Sequence, residues 1–285
     1  MYQAGLVLEG GAMRGMFTAG VFDVFLENGI EFDGAIGVSA GAAFGCNYKS
    51  NQPGRAVRYN VNYARDPRYC SIRSLLFTGD IYGADFCYHE LPEKLDLFDT
   101  AAFAASPVEF YVTCTDVLTG EPVYQKLDRA DYEALEWIRA SASMPLVSRI
   151  VEVGGRKMLD GGIADSIPLR RFRSIGYDKN IVVLTQPRGY RKSKNSMLPV
   201  IKRVYRKYPK LIDTIARRHE MYNETLEYLW QEEKRGTTLI LCPDEKLPID
   251  RIEHDPEKLR AVYDIGRTHA EKHLEGIRTF LQNET

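Results

Sequence analysis

The sequence predicts an α/β fold: a mainly parallel central sheet flanked by helices, followed by a mostly helical C-terminal extension. Two observations carry the prediction. Short apolar runs alternate with helix-compatible segments along the chain, which is the order of a parallel sheet whose crossovers are helices. Glycine-rich stretches around Gly10-Gly11 and Gly37 also follow apolar runs and lead into helix-compatible ones, marking tight strand-to-helix turns. A chain of 285 residues is long enough to bury a substantial core around one such sheet.

Taken in order, the first strand is expected at residues 5–8 and the first helix at 16–28. The apolar residues 32–36 lead into a second strand at 34–38, followed by a helix at 40–50. An aromatic-rich insertion comes next, with Phe77, Ile81, Tyr82, Phe86, Cys87 and Tyr88, suited to an acyl cleft, a lid or ordinary core. Strands at 109–115 and 122–126 are joined by the hairpin turn Leu118-Thr119-Gly120-Glu121. Asp131 opens a helix at 131–141, and Gly154-Gly155 turns the chain into a strand at 156–159. Two more strands are expected at 180–185 and 238–242, and helices at 198–205, 210–234 and 256–280. Asp255-Pro256 is a helix start, and Gly266 is expected to break that last helix.

Composition narrows the class. Net charge is −1, and no run reaches the length of apolar residues that a membrane span needs. The N-terminus lacks a basic region followed by an apolar stretch and a cleavage site, so a cytoplasmic chain is expected. The cysteines Cys46, Cys70, Cys87, Cys114 and Cys242 are scattered without a C-x-x-C pair, which fits reduced, buried thiols.

Three motifs carry chemistry. Gly37-Val38-Ser39-Ala40-Gly41 reads G-x-S-x-G at a strand-to-helix junction, the context of a nucleophile elbow. Gly10-Gly11-Ala12-Met13-Arg14-Gly15 would expose backbone N–H groups beside a helix dipole, which suits an anion. Its glycine spacing fits neither the dinucleotide fingerprint nor the P-loop, so a tetrahedral oxyanion beside Ser39 is the better match. Asp160-Gly161-Gly162 places a carboxylate at a strand end with glycines that leave it approachable. A Ser-His-Asp triad would need an imidazole. His89, His219, His254, His269 and His273 show no context for one, and the last three read as solvated surface. His269 and His273 stand four apart, but no zinc-protease pattern or Cys/His cluster accompanies them.

In this order, the three motifs resemble the patatin-like phospholipases, serine lipid acyl hydrolases with a Ser-Asp dyad. A fourth block of that family, A-S-x-S-x-P, is matched by Ala140-Ser141-Ala142-Ser143-Met144-Pro145. The resemblance covers roughly residues 5–172 and departs at Ala12, where plant members carry glycine. It implies a catalytic domain at 5–172 and an extension, 173–285, packed on it. It also implies Ser39 as nucleophile and Asp160 as base, with Gly37, Val38 and Gly41 shaping the elbow and Gly161 and Gly162 the loop beside the base. Backbone groups of Gly10, Gly11, Ala12, Met13, Arg14, Gly15 and Ala40 would surround the oxyanion. A carboxylate in water has a pKa of about 4 and is a poor base unless partly desolvated, which an apolar acyl cleft would achieve.

The chemistry requires no metal or organic cofactor. The expected function is phospholipase A or lysophospholipase-type hydrolysis of a lipid ester. The alternatives are a soluble carboxylesterase or thioesterase with the same dyad, or a non-catalytic lipid-binding protein retaining the fold. Residues 188–218, which include Arg188 and Arg218, carry eleven Lys/Arg and one acidic residue, Asp213. A peripheral contact with anionic membrane is the partner expected there, with a solvated helical face as the plain alternative and no nucleic acid.

Overall fold

A computed structural model describes residues 4–282. Its strands are β1 (Ala4–Leu8), β2 (Gly34–Val38), β3 (Glu109–Asp116), β4 (Pro122–Leu127), β5 (Val151–Val153), β6 (Arg156–Asp160), β7 (Lys179–Val183) and β8 (Thr238–Leu241). They form one eight-stranded sheet in the order β5-β6-β3-β2-β1-β7-β8, with β4 also on β3. Pairing is parallel from β3 through β2, β1 and β7 to β8. It is antiparallel for β4, β5 and β6. The expected α/β class therefore holds, and β7 and β8 continue the sheet beyond residue 173.

The helices are α1 (Gly15–Glu27), α2 (Ala40–Lys49), α3 (Arg55–Tyr63), α4 (Ile72–Thr78), α5 (Thr100–Ala105), α6 (Tyr132–Ser141), α7 (Leu169–Ser174), α8 (Leu198–Val204), α9 (Pro209–Lys234) and α10 (Pro256–Gln282), with a π-helical segment at Phe86–Leu95. Strand β5, helices α3, α4, α5 and α7 and the π-helical segment were not expected from the sequence. All are short or irregular, and periodicity over so few residues does not separate strand from helix or loop.

Central strands β2 and β7 are buried at every position, as a parallel sheet covered on both faces requires. Alternate residues serve the two faces. Leu6, Leu8, Ile181 and Val183 join a core with residues of α1, α2, α6 and α10. Val7, Ile36 and Val182 join a second core with Phe172 of α7 and Tyr222, Leu226 and Leu229 of α9.

The expected break at Gly266 does not occur: α10 runs unbroken from Pro256 to Gln282. The glycine serves packing instead. A Cβ at Gly266 would collide with the backbone carbonyl of Phe17 on α1, and one at Gly20 would collide with the carbonyl of Tyr263 on α10. The pair lets two helix backbones cross closely. His269 follows from this crossing. It is buried against Phe17, with ring centroids 5.5 Å apart, and is not the solvated residue expected.

The crossing makes a signed prediction. Gly266→Ala should destabilise the fold by about 1–3 kcal/mol, because added volume has no room there. Gly276 lies on the same helix with nothing near its missing Cβ. Gly276→Ala should therefore stabilise by about 0.5–1 kcal/mol through helix propensity alone. Urea denaturation of both variants checks the pair; equal signs would refute the close crossing.

Candidate active site

Strand β3 positions the site. On one edge, its residues Phe110 to Thr115 pair with β4. Strands β2 and β6 must therefore share the other edge. β2 runs parallel to β3 and ends at Val38, opposite Thr113. β6 runs antiparallel and ends at Asp160, opposite the next residue, Cys114. Two strands thus approach head-on along one edge and stop a residue apart. Ser39, the residue after β2, and Asp160, the last of β6, are brought together by that collision.

Ser39 caps α2 with φ 56° and ψ −122°, a left-handed conformation that costs a non-glycine residue roughly 1–3 kcal/mol. Glycines around it make room. A Cβ on Gly41 would strike the Leu8 carbonyl, and one on Gly37 would lie 2.6 Å from Ala42 N. Gly10 lies flat against the serine, where a Cβ would be 2.8 Å from Ser39 Cβ.

The segment after α6 locks the two strand ends. Ser141 Oγ accepts the Ser39 N–H at 2.8 Å and donates to the Thr113 carbonyl at 2.6 Å. Two residues on, the Ser143 carbonyl accepts the Asp160 N–H at 2.8 Å. This is a role for the A-S-x-S block that sequence reasoning did not assign.

Asp160 is buried, and its Oδ1 accepts the Gly162 N–H at 2.8 Å. Burial raises the carboxyl above its ordinary pKa of 3.8. The Arg218 guanidinium, the Ser39 hydroxyl as hydrogen-bond partner, the Gly162 N–H and Arg251 pull it back. The carboxyl is thus partly desolvated but not isolated. Gly161 packs under β3, where a Cβ would strike the Thr113 carbonyl, and the Gly162 carbonyl accepts from Arg218 Nε.

The glycine-rich loop arches over Ser39. Ala12 adopts φ 49°, a conformation that glycine reaches without strain. Within the loop, the Arg14 N–H closes onto the Gly11 carbonyl at 3.2 Å and the Met13 N–H reaches the Arg251 carbonyl at 3.4 Å. The Gly15 N–H is likewise taken by the turn. Among the described residues, the N–H groups of Gly10, Gly11 and Ala12 are left without a partner, as is that of Ala40 at the start of α2.

Two cavities meet at Ala12, Ser39 and Met144. One, of about 100 Å³, is apolar and lined by residues such as Phe44, Tyr59, Tyr88, Leu91, Phe98 and Ile138. Of the aromatic insertion, Tyr82, Cys87 and Tyr88 line this cavity, whereas Ile81 and Phe86 are core and Phe77 is exposed. The other is a cleft of about 420 Å³ whose walls mix apolar side chains such as Leu146, Ile201 and Ile215 with Asp160, Glu9, Arg14, Lys192, Arg218 and Arg251. No histidine lines either one. His89 stacks on Tyr132 and meets Glu136 at 3.1 Å. His254 Nδ1 lies 2.9 Å from the Ala64 carbonyl, and His219 Nδ1 3.1 Å from that of Ala216.

The family model described as patatin-like phospholipase matches residues 6–173. The chain belongs to the patatin-like phospholipase family. Residues 208–282 match a second family model, a domain of unknown function (DUF6363). The chain is 32% identical to the Escherichia coli K12 protein YjjU over 64% of this chain and 52% of that one. An NTE family protein of Mycobacterium tuberculosis H37Rv is 30% identical over 62% of this chain and 48% of its own length. Lysophospholipase nte1 of Aspergillus oryzae is 25% identical over 96% of this chain and 18% of its own. The chain thus spans about half the length of the first two relatives and a smaller part of the third.

In this patatin-like chain the basic stretch at 188–218 divides. Arg188 pairs with Glu233 at 2.6 Å and Arg191 with Glu227 at 3.0 Å, both on α9. Lys192 and Arg218 turn into the cleft beside Asp160. Lys202, Arg203, Arg206 and Lys207 point outward next to the exposed Met197, Val200 and Val204. The sequence reading missed Lys192, Arg218 and Arg251 as residues of the site. The first two were hidden in a uniformly basic run, and nothing in the sequence singled out Arg251.

The Ser141 bridge is testable. Ser141→Ala strands two buried backbone groups, the Ser39 N–H and the Thr113 carbonyl, and should cost about 1–3 kcal/mol of stability. Thermal and urea unfolding measure it, and wild-type stability in the variant would show that the strand ends do not depend on this bridge.

Proposed function

We propose that this chain is a serine acyl-ester hydrolase that acts on lipid esters, with Ser39 as nucleophile and Asp160 as base. The observation that carries the reading is the position of Ser39 at the junction of an apolar cavity and a wider cleft that carries charged side chains. An amphipathic ester can bridge the two, with its acyl chain in the first, its alcohol portion in the second and its carbonyl at the serine. The relative named lysophospholipase nte1 supports phospholipase A or lysophospholipase-type chemistry.

In this mechanism Asp160 accepts the Ser39 proton as Oγ attacks the ester carbonyl. The oxyanion is met by the unpartnered N–H groups of Gly10, Gly11, Ala12 and Ala40, where each donor contributes roughly 3 kcal/mol to transition-state stabilisation. The proton passes to the leaving alcohol, and water hydrolyses the acyl-enzyme with Asp160 again as base. Burial makes Asp160 a stronger base than a carboxylate in water, and the Arg218 guanidinium opposes that rise.

Ser39→Ala and Asp160→Asn should each lower ester hydrolysis on the order of 10⁴-fold, and the double variant little further, because nucleophile and base act as a unit. A fluorophosphonate probe should label Ser39 in the wild type; a non-catalytic lipid-binding protein would take no label. The pH profile has a fixed sign. Only ionised Asp160 accepts a proton, so activity should fall on acidification through a midpoint above the ordinary 3.8, because burial raises that carboxyl. A midpoint at or below 3.8 would remove Asp160 from the role.

The outward face of α8 and the turn after it fits peripheral contact with an anionic membrane. Exposed Met197, Val200 and Val204 sit beside Lys202, Arg203, Arg206 and Lys207, and each such cation is worth about 1 kcal/mol near an anionic surface. Changing these four cations to glutamate should abolish the salt-sensitive excess of binding to anionic over neutral liposomes. Equal binding by both proteins would return the segment to an ordinary solvated face.

A further inference from the structure

The loop over Ser39 does not fix its own shape. Its Gly10–Gly11 peptide joins two glycines, whose backbone torsions turn with little steric cost, so nothing local decides which way the plane faces. The direction matters because the Gly11 N–H is among the groups left without a partner beside Ser39. The peptide is trans, and in a planar trans peptide the carbonyl and the N–H point in opposite directions. Whatever holds the Gly10 carbonyl therefore aims the Gly11 N–H.

Thr185 holds that carbonyl. Its Oγ1 lies 3.1 Å from the Gly10 carbonyl oxygen. Among the described residues no other group donates to this oxygen. The two segments are also packed closely. A Cβ on Gly11 would lie 2.6 Å from Thr185 Oγ1, and one on Gly10 would lie 2.8 Å from Ser39 Cβ. The loop thus touches the nucleophile at Gly10 and Thr185 at Gly11.

Thr185 is itself anchored. It lies two residues past β7, and Glu9 lies one residue past β1, the parallel neighbour of β7. Where the backbone pairing of these strands ends, the Glu9 side chain takes over. Oε2 accepts the Thr185 N–H at 2.6 Å, and Oε1 accepts the hydroxyl of Tyr222 on α9 at 2.6 Å. Glu9, Thr185 and Tyr222 are all buried. The Thr185 hydroxyl has one hydrogen and two acceptors in reach, the Gly10 carbonyl at 3.1 Å and Glu9 Oε2 at 3.2 Å. Each Glu9 oxygen already has a donor, whereas the Gly10 carbonyl has only this one, so the hydrogen goes to Gly10.

We propose that Thr185 is a positioning residue of the hydrolase: its hydroxyl, with Glu9 and Tyr222 behind it, fixes the Gly10–Gly11 peptide so that the Gly11 N–H meets the oxyanion. The assignment rests on the hydrolase reading above. Thr185 lies outside residues 6–173, and Tyr222 lies within 208–282. The loop carried by the patatin-like segment is then aimed by residues beyond that segment, and the C-terminal extension takes part in turnover.

The test measures kcat and KM of the full chain for para-nitrophenyl butyrate, a soluble ester. Thr185→Val keeps the shape of the side chain and removes the hydroxyl. It should lower kcat about 10- to 100-fold, less than the roughly 10²–10³-fold loss of a deleted oxyanion donor, because a misaimed N–H keeps part of its effect. KM should change by no more than about twofold, since an interaction made in the transition state is what is lost. The rate of fluorophosphonate labelling at Ser39 should fall with kcat, because attack on phosphorus also develops negative charge on an oxygen beside the loop. Thr185→Ser keeps the hydroxyl, lacks the methyl group and should stay within about threefold of the wild type. Thr238→Val is the control: it removes a buried hydroxyl on β8 that has no hydrogen-bond partner, and kcat should be unchanged. Should Thr185→Val fail to fold, Thr185→Ala set against Thr185→Ser isolates the same hydroxyl.

A wild-type kcat in the variant that lacks the hydroxyl, an equal loss in Thr185→Ser, or a loss confined to KM would overturn the proposal. Failure of the hydrolase reading has a different signature. The wild type itself would then take no fluorophosphonate label and turn over no ester, and the positioning role would fall with it.

Discussion

The head-on meeting of β2 and β6 along one edge of β3 is the constraint on which the site depends. Neither strand positions its terminal residue alone. β3 offers one free edge because β4 occupies the other, and the registers at Thr113 and Cys114 leave no gap between the incoming ends. The backbone must therefore leave the sheet at both ends within a few ångströms. It does so through a left-handed Ser39 on one side and the tight Gly161-Gly162 turn on the other. Ser141 and Ser143 satisfy backbone groups that this crowding would otherwise leave unpaired, so the segment after α6 works as a clasp.

How much of this was legible in the sequence depends on the range of the interaction. Local signals were readable: Gly37 and Gly41 mark a backbone that must pass close to a neighbour, Asp131 caps α6 as expected, and Ser39 and Asp160 stand at the strand ends where their motifs were expected. Gly266 shows where local reading fails. The same missing Cβ that weakens an isolated helix permits a close crossing, and only the partner helix decides between the two. His269 was misread for the same reason, since its burial comes from α1 and not from its own charged neighbours. Lys192, Arg218 and Arg251 carry no pattern at all, because what unites them is a cleft built by segments far apart in the chain.

Electrostatics tie the two halves of the chain together. Burial raises the Asp160 carboxyl, and the Arg218 guanidinium is the largest influence opposing that rise. Arg218 belongs to α9, outside the residues that match the patatin-like family. On the proposed mechanism, the ionisation of the base thus depends on a residue the family motifs do not contain. The dependence is mutual, since Asp160 is the leading influence that offsets the burial of Arg218.

This coupling also bears on where a substrate anion can lie. An anion beside Arg218 would compete with Asp160 for the same guanidinium and raise the carboxyl further, making it a stronger base but a less ionised one. The arrangement avoids full competition by distributing the cations. Arg218 is anchored to the Gly162 carbonyl close to Asp160, whereas Lys192 stands over Tyr222 and Arg251 sits exposed in the segment before α10. Because the cations are spread around the cleft, Arg218 is the leading charge that offsets the burial of Asp160, with Arg251 a lesser one.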